Sequence, residues 1–591
     1  MDPDDFTPIS TKNFYGKKLQ PVFHVRNIPD ESEDSELSED EIRESPKPEN
    51  EDLYTTSSDE EPDDNIPLSV LRQRLNYIDI SQIKWTETRS QTDELNTQFL
   101  GSEQLPDSIL QLNTPYKLFS FFLSEEFFEE TARQSCLYSV QKNPNVPFTT
   151  GVEELQRFVG IIYWSSLVRQ PTTRRHWSPN TRFPQIADVM TVNRFERLKK
   201  NIHFADNLTS DKSIDKIMPV LDEIKIACKK LPLEENLSCD EQIIPFKGRI
   251  SLKTYNPKKP HKWGYKMWVL SGVSGISYNF ELYGDKDATQ IIQGEPNLGA
   301  ASNVIVRLCR DVPPNINHKI YYDNYFCSLP LIAYLADKSI QSVGTIRQNR
   351  LKNFNPKTEK QMKTNGRGTI EEKSVTLGKS EIRVVQWYDN KIVTLASSYC
   401  GTEPVRKVKR FFKTENTKKE IDCPDIVRVY NKHMGGVDLQ DSLLGLYPIK
   451  MKSRKWYHRI FYHMLDVVAV NAWILDKKIK KQLGQESNII PLLTFKTELA
   501  MQLCNRGFPN SHKRGRPSNE ILPIPKRRCQ EAGPSRTIQL DSVGHWPNWT
   551  VERERCKFPQ CNGKSRVKCL KCKVHLCCNS KQNCFVKFHT S

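Results

Sequence analysis

Two β-prone runs in the middle of the chain each lead into an aspartate, and this constrains the fold more than any other feature. Asn236-Leu237-Ser238-Cys239 leads into Asp240, which is followed by Glu241-Gln242-Ile243-Ile244, and Lys319-Ile320-Tyr321-Tyr322 leads into Asp323. Asp438 and Asp441 stand at i and i+3 just after Gly435-Gly436-Val437, a spacing that puts both on one face of a helix. Taken singly, Asp323 reads as a turn cap and Asp438 as a helix cap. Together, carboxylates converging from two strand ends and one helix start are what a pair of Mg²⁺ ions needs. Mg²⁺ takes hard oxygen ligands and binds phosphate oxygens at its open positions. In a basic chain, this points to phosphodiester chemistry on nucleic acid.

The chain is basic, but unevenly so. Its net charge is +16, yet residues 30–64 hold seventeen acidic side chains against Arg43 and Lys47, so the remainder is more basic than the total suggests. Such a surplus suits a polyanion, whose counterions are released on binding; the plainer alternative is a soluble basic surface. At 591 residues, several domains are expected. No run of eighteen apolar residues is present, so no membrane span is expected. Met1-Asp2-Pro3-Asp4-Asp5 lacks the basic and apolar regions of a secretory signal. Nine of the sixteen cysteines are scattered singly from Cys136 to Cys529, and seven crowd into the last 36 residues. That pattern fits reduced thiols plus a metal site in a cytosolic or nuclear protein.

Residues 1–66 are acidic and poor in apolar side chains, so they are expected to be disordered; Ser57 and Ser58, ahead of Asp59-Glu60-Glu61, suit an acid-directed kinase. Helical periodicity follows within 67–235, with Phe119, Phe122, Phe127 and Phe128 in one stripe and Leu155, Phe158, Val159 and Ile162 in another. Segment 236–350 reads as strands and then helices: Lys266–Leu270 and Tyr278–Leu282 as neighbours, a helix over Ala300–Cys309, a strand at Lys319–Asp323 and a helix over Leu329–Ala336. This order predicts an α/β sheet core. Residues 351–423 break the rhythm as a β-rich insertion. Helix resumes over 424–448 and 449–505, residues 506–545 form a basic, Pro-rich linker, and 546–591 are Cys-rich.

The tail carries Cys556, Cys561, Cys569, Cys572, Cys577, Cys578, Cys584 and His589. Thiolates and imidazole at this density, in a segment too short for a large core, fit structural Zn²⁺. Interleaved tetrahedral sites are expected: Cys556, Cys561 and Cys577 with an eighth ligand, either Cys578 or His575, and Cys569, Cys572, Cys584 and His589 together.

Several further stretches carry a resemblance. They are Arg194-Phe195, Asn201–Asn207, Asp240–Arg249, Tyr255–Trp268, Tyr322–Ser328, Val343–Arg347 and Tyr430–Asp438, in this order over roughly residues 113–475. The series resembles the piggyBac superfamily of DDE/D DNA transposases. The resemblance implies an RNase H-like catalytic core split by a β-rich insertion. It also implies a helical dimerisation and DNA-binding domain made from the flanking segments, and a small C-terminal zinc domain that binds transposon-end DNA. The family's catalytic acids fall on Asp240, Asp323, Asp438 and Asp441, so Mg²⁺ or Mn²⁺ is the implied cofactor, with cleavage and joining at TTAA targets. A homodimer on double-stranded DNA, in the nucleus, is the implied setting. The alternative is a transposase-derived, sequence-specific DNA-binding protein with little or no catalysis, and a third reading makes the zinc tail a protein-interaction module.

Basic residues flank the acids. Lys247, Arg249, Lys253, Lys258, Lys259, Lys262 and Lys266 follow Asp240; Lys450, Lys452, Arg454, Lys455 and Arg459 follow Asp441, with Trp456 and Tyr457 among them. They are expected to hold the DNA backbone near the metals, against a solvated basic face as the plain reading. In the linker, Arg514 and Arg516 of Lys513-Arg514-Gly515-Arg516-Pro517 match a minor-groove hook, and Lys526-Arg527-Arg528 suits nuclear import.

Overall fold

The computed structural model describes residues 83–87, 97–208, 213–248, 250–257, 262–284, 290–412, 415–453, 455–507, 534–580 and 582–590. The acidic segment 1–66, the hook with Arg514 and Arg516, and the Lys526-Arg527-Arg528 cluster lie outside the described residues, as do Arg249, Lys258, Lys259 and Arg454. Among the described residues, no helix is long and apolar enough to cross a membrane.

The chain forms two compact units. One comprises the described residues up to Phe127 together with Ile162–Arg169 and Phe204–Gln502; the other comprises Phe128–Ile161, Gln170–His203 and the described residues from Leu503 onward. The main helices are α1 (Pro115–Phe122), α2 (Glu125–Lys142), α3 (Val152–Leu167), α4 (Val192–Asn201), α5 (Met218–Cys228), α6 (Ala300–Leu308), α7 (Leu329–Asp337), α8 (Asp425–His433), α9 (Gly436–Leu446), α10 (Trp456–Gln482) and α11 (Leu492–Cys504).

The first unit is built on a nine-stranded sheet. Its strands are β1 (Asn236–Pro245), β2 (Thr254–Tyr255), β3 (Trp263–Gly272), β4 (Ser277–Leu282), β5 (Lys319–Tyr322), β6 (Gln341–Thr345), β7 (Ile370–Leu377), β8 (Ser380–Tyr388) and β9 (Ile392–Ser397), in the order β2-β3-β1-β5-β6-β9-β8-β7 with β4 on β3. β1 to β4 pair antiparallel, whereas β5 runs parallel to both β1 and β6. The β5–β6 pair is parallel because α7 makes the crossover between them. Ser328 starts α7, its Oγ accepting from the Leu331 N–H. β1 lies between two partners, and its period-2 alternation sends Leu237 and Cys239 to one buried face and Ser238, Asp240 and Gln242 to the other.

The break at 351–423 is continuous with this sheet. β9 pairs with β6, β8 with β9 and β7 with β8, so three of its strands extend the core sheet. Only β10 (Arg406–Phe412) and β11 (Thr417–Cys423) form a separate ribbon.

α10 is the central helix of this unit, with Ile460, Phe461, Tyr462, Met464, Leu465, Val467, Val468 and Ala469 all buried. It packs against α1, α5 and α9. Among these apolar groups sits one buried ion pair, Lys496 Nζ to Asp466 Oδ1 at 2.7 Å. Lys496 also donates to the Tyr447 carbonyl at 2.6 Å, and Asp466 Oδ2 accepts from the Ile449 N–H at 2.8 Å. The pair therefore anchors the chain as it leaves α9. Lys496→Met would strand a carboxylate whose pKa burial already raises. The expected cost is about 3–5 kcal/mol, with partial recovery in the Lys496→Met, Asp466→Leu double variant. Thermal melting of the full chain checks this; a single variant as stable as the parent would contradict it.

In the second unit, Leu155, Phe158 and Val159 of α3 are buried as the periodicity predicts, and Phe158 meets Phe195 of α4 with ring centroids 5.1 Å apart. Arg194 donates to Glu154 at 2.6 Å and covers the Phe148 ring.

Candidate active site and metal centres

β1 and β5 are paired in register up to Cys239 and Tyr322. Asp240 and Asp323 are the next residues on each chain segment, so the two acids sit side by side where the parallel pairing ends, Asp240 within β1, which runs on against β3 to Pro245, and Asp323 just past the end of β5. Cys239 and Tyr322 are fully buried on the opposite face, which turns Asp240 toward the face that α8 and α9 cover. Tyr430 of α8 lies within the field of both carboxylates; burial, then Asp323 and Asp240, push its hydroxyl far above the ordinary tyrosine range. Asp240 Oδ1 accepts from the Glu241 N–H at 2.7 Å, and Asp323 Oδ1 accepts from the Tyr325 N–H at 2.8 Å in an Asx turn.

α9 brings the other two acids. It lies on β1 and β3. Asp441 Oδ1 accepts from Gln242 Nε2 at 2.6 Å, so Asp441 reaches the face of β1 that carries Asp240. Asp438 is exposed one turn earlier. Between them, Gln440 is fully buried and accepts from Ser277 Oγ at 2.6 Å, and Asn471 of α10 bonds to the Ser277 N–H and C=O at 3.0 Å each. No three of the four carboxylates lie within 4.8 Å of one another among the described residues. Like charges spread apart, and two Mg²⁺ ions about 4 Å apart with oxygen ligands about 2 Å from each need carboxylates on opposite sides of the pair, roughly 8 Å apart.

The closeness of α9 to the sheet depends on Gly436. A Cβ there would lie 2.4 Å from the Gly272 carbonyl oxygen and 2.6 Å from Ser238 Oγ, whereas one on Gly435 would meet nothing within 4 Å. Gly436→Ala is therefore expected to lift the helix and cost about 1–3 kcal/mol, while Gly435→Ala, at φ −79°, is expected to be neutral. Equal melting temperatures for the two variants would contradict this.

The flanking cations divide. Lys247, Lys262, Lys450 and Lys452 are exposed, and Lys455 is half-buried over the Tyr457 ring. Two others are not available to a phosphate. Lys266 is 8% exposed and pairs with Glu241 at 2.8 Å over the Trp268 ring, on the face of the sheet opposite Asp240. Arg459 donates to the carbonyls of Pro245 at 3.0 Å and Ile449 at 2.9 Å, clamping the end of β1 to the segment after α9. Lys253 donates to the Gly248 carbonyl at 2.9 Å.

In the tail, β12 (Pro547–Arg555) pairs with β13 (Lys564–Cys569), and α12 (Cys584–Thr590) follows. Two groups of side chains here could each hold a metal: Cys556, Cys561, Cys577 and Cys584, and His545, Cys569, Cys572 and His589, with all ligand atoms of a group within 4.8 Å. Cys561 and Cys577 Sγ are 3.9 Å apart, and His545 Nδ1 is 3.5 Å from Cys569 Sγ and 3.4 Å from Cys572 Sγ. Ligands about 2.3 Å from a shared tetrahedral centre lie about 3.7 Å apart, so the groups fit Zn²⁺. The buried His589 Nε2 has no hydrogen-bond partner, while its Nδ1–H donates to the Phe585 carbonyl at 2.7 Å; that tautomer leaves Nε2 a lone pair for a cation. His545 is oriented likewise, its Nε2 2.9 Å from Asp541, whose carboxyl Lys571 holds down to about 2.

The interleaving is as expected, but the partition is corrected in three places. Cys584 belongs with Cys577, because the Phe585 N–H donates to the Cys577 carbonyl at 3.0 Å and ties the start of α12 there. His545 replaces it in the second group: the Leu570 N–H donates to the Trp546 carbonyl at 2.9 Å, which brings residue 545 to the Cys569-x₂-Cys572 turn. Neither candidate eighth ligand is used. Cys578 is exposed, and His575 spends both ring nitrogens on Glu554 at 3.1 Å and Thr550 at 3.0 Å. His545 lies eleven residues before the first tail cysteine, and only its strand pairing reveals it.

A protein-family model described as Transposase IS4 matches residues 114–473. PiggyBac transposable element-derived protein 3 of Homo sapiens is 27% identical over 494 residues, spanning 82% of this chain and 77% of that protein. PiggyBac transposable element-derived protein 2 of Homo sapiens is 26% identical over 513 residues, spanning 85% and 82%. In fold the chain is similar to a piggyBac transposase whose synaptic complex with hairpin DNA was solved by cryo-EM, with a TM-score of 0.56 and 19% identity over 80% of this chain and 96% of that one. With a family match across more than half its length, two relatives aligned over most of theirs and a shared mixed α/β fold, this chain belongs to the piggyBac transposase family.

Proposed function

We propose that this protein is a metal-dependent DNA transposase that cleaves and rejoins DNA strands at TTAA sites, with Asp240, Asp323, Asp438 and Asp441 holding two Mg²⁺ or Mn²⁺ ions. The single observation that carries the reading is the register of β1 and β5, which leaves Asp240 and Asp323 adjacent on the face beneath α8 and α9. The antiparallel β1-β3-β4 strands flanked by parallel β5 and β6 support an RNase H-like core. The ions, when bound, would activate the attacking oxygen and stabilise the leaving 3′-oxygen. The chain's own part is to hold four carboxylates from sheet and helix, and to offer Lys247, Lys262, Lys452 and Lys455 to the phosphate backbone. The tail's two groups are assigned Zn²⁺ as structural ions. Action on DNA implies a nuclear setting, and joining paired ends fits a homodimer.

The test is Mn²⁺-dependent strand cleavage of a duplex bearing the element's own ends, compared between the parent and an acid variant. A second reading, sequence-specific DNA binding without catalysis, is favoured by the relatives that are themselves named as transposable element-derived. Retarded migration of that duplex without cleavage would select it.

A further inference from the structure

Gln242 is 1% exposed and stands two residues beyond Asp240 on the same face of β1. Its neighbours fix which way its amide points. Asp441 Oδ1 lies 2.6 Å from the amide nitrogen. A carboxylate only accepts, so the amide NH₂ must face it. The amide oxygen then faces His463 Nε2 of α10 at 2.7 Å, and the imidazole must donate there. His463 is thereby held as the Nε2–H tautomer, and burial keeps it neutral by pulling its pKa down to about 3.

We propose that His463 and Gln242 are positioning residues that together aim the Asp441 carboxylate at the cation site. This rests on the metal-binding reading of the four acids. The relay is neutral throughout, which gives it a specific virtue. An Arg or Lys in place of Gln242 would fix the carboxylate equally well but would cancel the charge that a cation needs. An amide fixes direction and leaves the charge. Turning the Gln242 oxygen toward the metal would give up the bond to Asp441 and would require His463 to change tautomer. The arrangement is the carboxylate counterpart of the hydrogen bonds that orient metal-bound histidines, whose loss lowers metal affinity about 10–100-fold.

Mn²⁺ titration calorimetry on the full-length, zinc-loaded chain tests this, with Asp323→Asn as the baseline and melting temperature without added Mn²⁺ as the control for folding. Gln242→Met, close in volume, and His463→Leu are each expected to weaken the Asp323-dependent Mn²⁺ binding about 10-fold or more. His463→Gln, which keeps an N–H donor, is expected to stay within about threefold of the parent on the same scale. Parental Mn²⁺ affinity in Gln242→Met would overturn the inference alone, as would equal losses in His463→Leu and His463→Gln. If His463→Leu does not fold, Gln242→Met decides. A parent with no Asp323-dependent Mn²⁺ binding would instead bring down the metal reading of the acids, and this inference with it.

Discussion

Asp323→Asn is expected to leave the protein folded and to reduce Mn²⁺-dependent strand cleavage by about 10³-fold, the equivalent of about 4 kcal/mol of transition-state stabilisation. Asparagine is the informative replacement. In the parent, Asp323 Oδ1 accepts from the Tyr325 N–H, and an asparagine side-chain oxygen can accept the same bond, so the turn after β5 survives. What is lost is the negative charge. Because Asp240 lies beside it on the next strand, the variant also removes a like-charge repulsion, so its melting temperature without metal is expected to equal or exceed the parent's. Cleavage and stability should thus move in opposite directions, which a merely structural Asp323 would not produce. Cleavage at the parental rate in Asp323→Asn would remove the acid from the mechanism.

Stripping metal from the tail is expected to unfold it while leaving the melting of the sheet-based unit unchanged. The tail's buried apolar cluster is small, comprising six of its seven cysteines with Val567, Leu576, Phe585 and Phe588. A structural Zn²⁺ contributes about 10–16 kcal/mol to the folding of such a segment, far more than these side chains supply. Two Zn²⁺ ions per chain are expected by atomic absorption. His545→Ala is expected to lower that content and Cys578→Ser to leave it unchanged; the reverse result would restore the partition that spacing alone suggests. Acid should mimic chelation, because the thiolates and imidazoles must be deprotonated to bind, so metal is retained at neutral pH and released as the pH falls.

Local pattern revealed much of the core. Strands β3, β4 and β5, helices α6 and α7, and the helical spacing of Asp438 and Asp441 all follow from alternation, propensity and turn residues, which act within a few positions of themselves. Contacts between distant segments were not legible. Nothing near Ile392 announces that β9 pairs with β6, so residues 351–423 read as an insertion. Charge misled for a related reason. Lys266 and Arg459 look like phosphate contacts in a basic run, yet one answers Glu241 and the other two backbone carbonyls. The linkage of Gln242 to Asp441 and His463 was not legible: Gln242 reads as one more polar residue after Asp240-Glu241, His463 as a polar residue in an apolar run, and the partners lie about two hundred positions away.

Gly436 separates two kinds of evidence about competence. The sheet contributes one half of the acidic quartet and α9 the other, and the thickness of a single side-chain-free residue sets the gap between them. A copy that drifted at this one position would keep every carboxylate and still misalign them. Surveys that score such genes by their acids alone would count it as functional, so the spacer belongs in the criterion alongside the quartet.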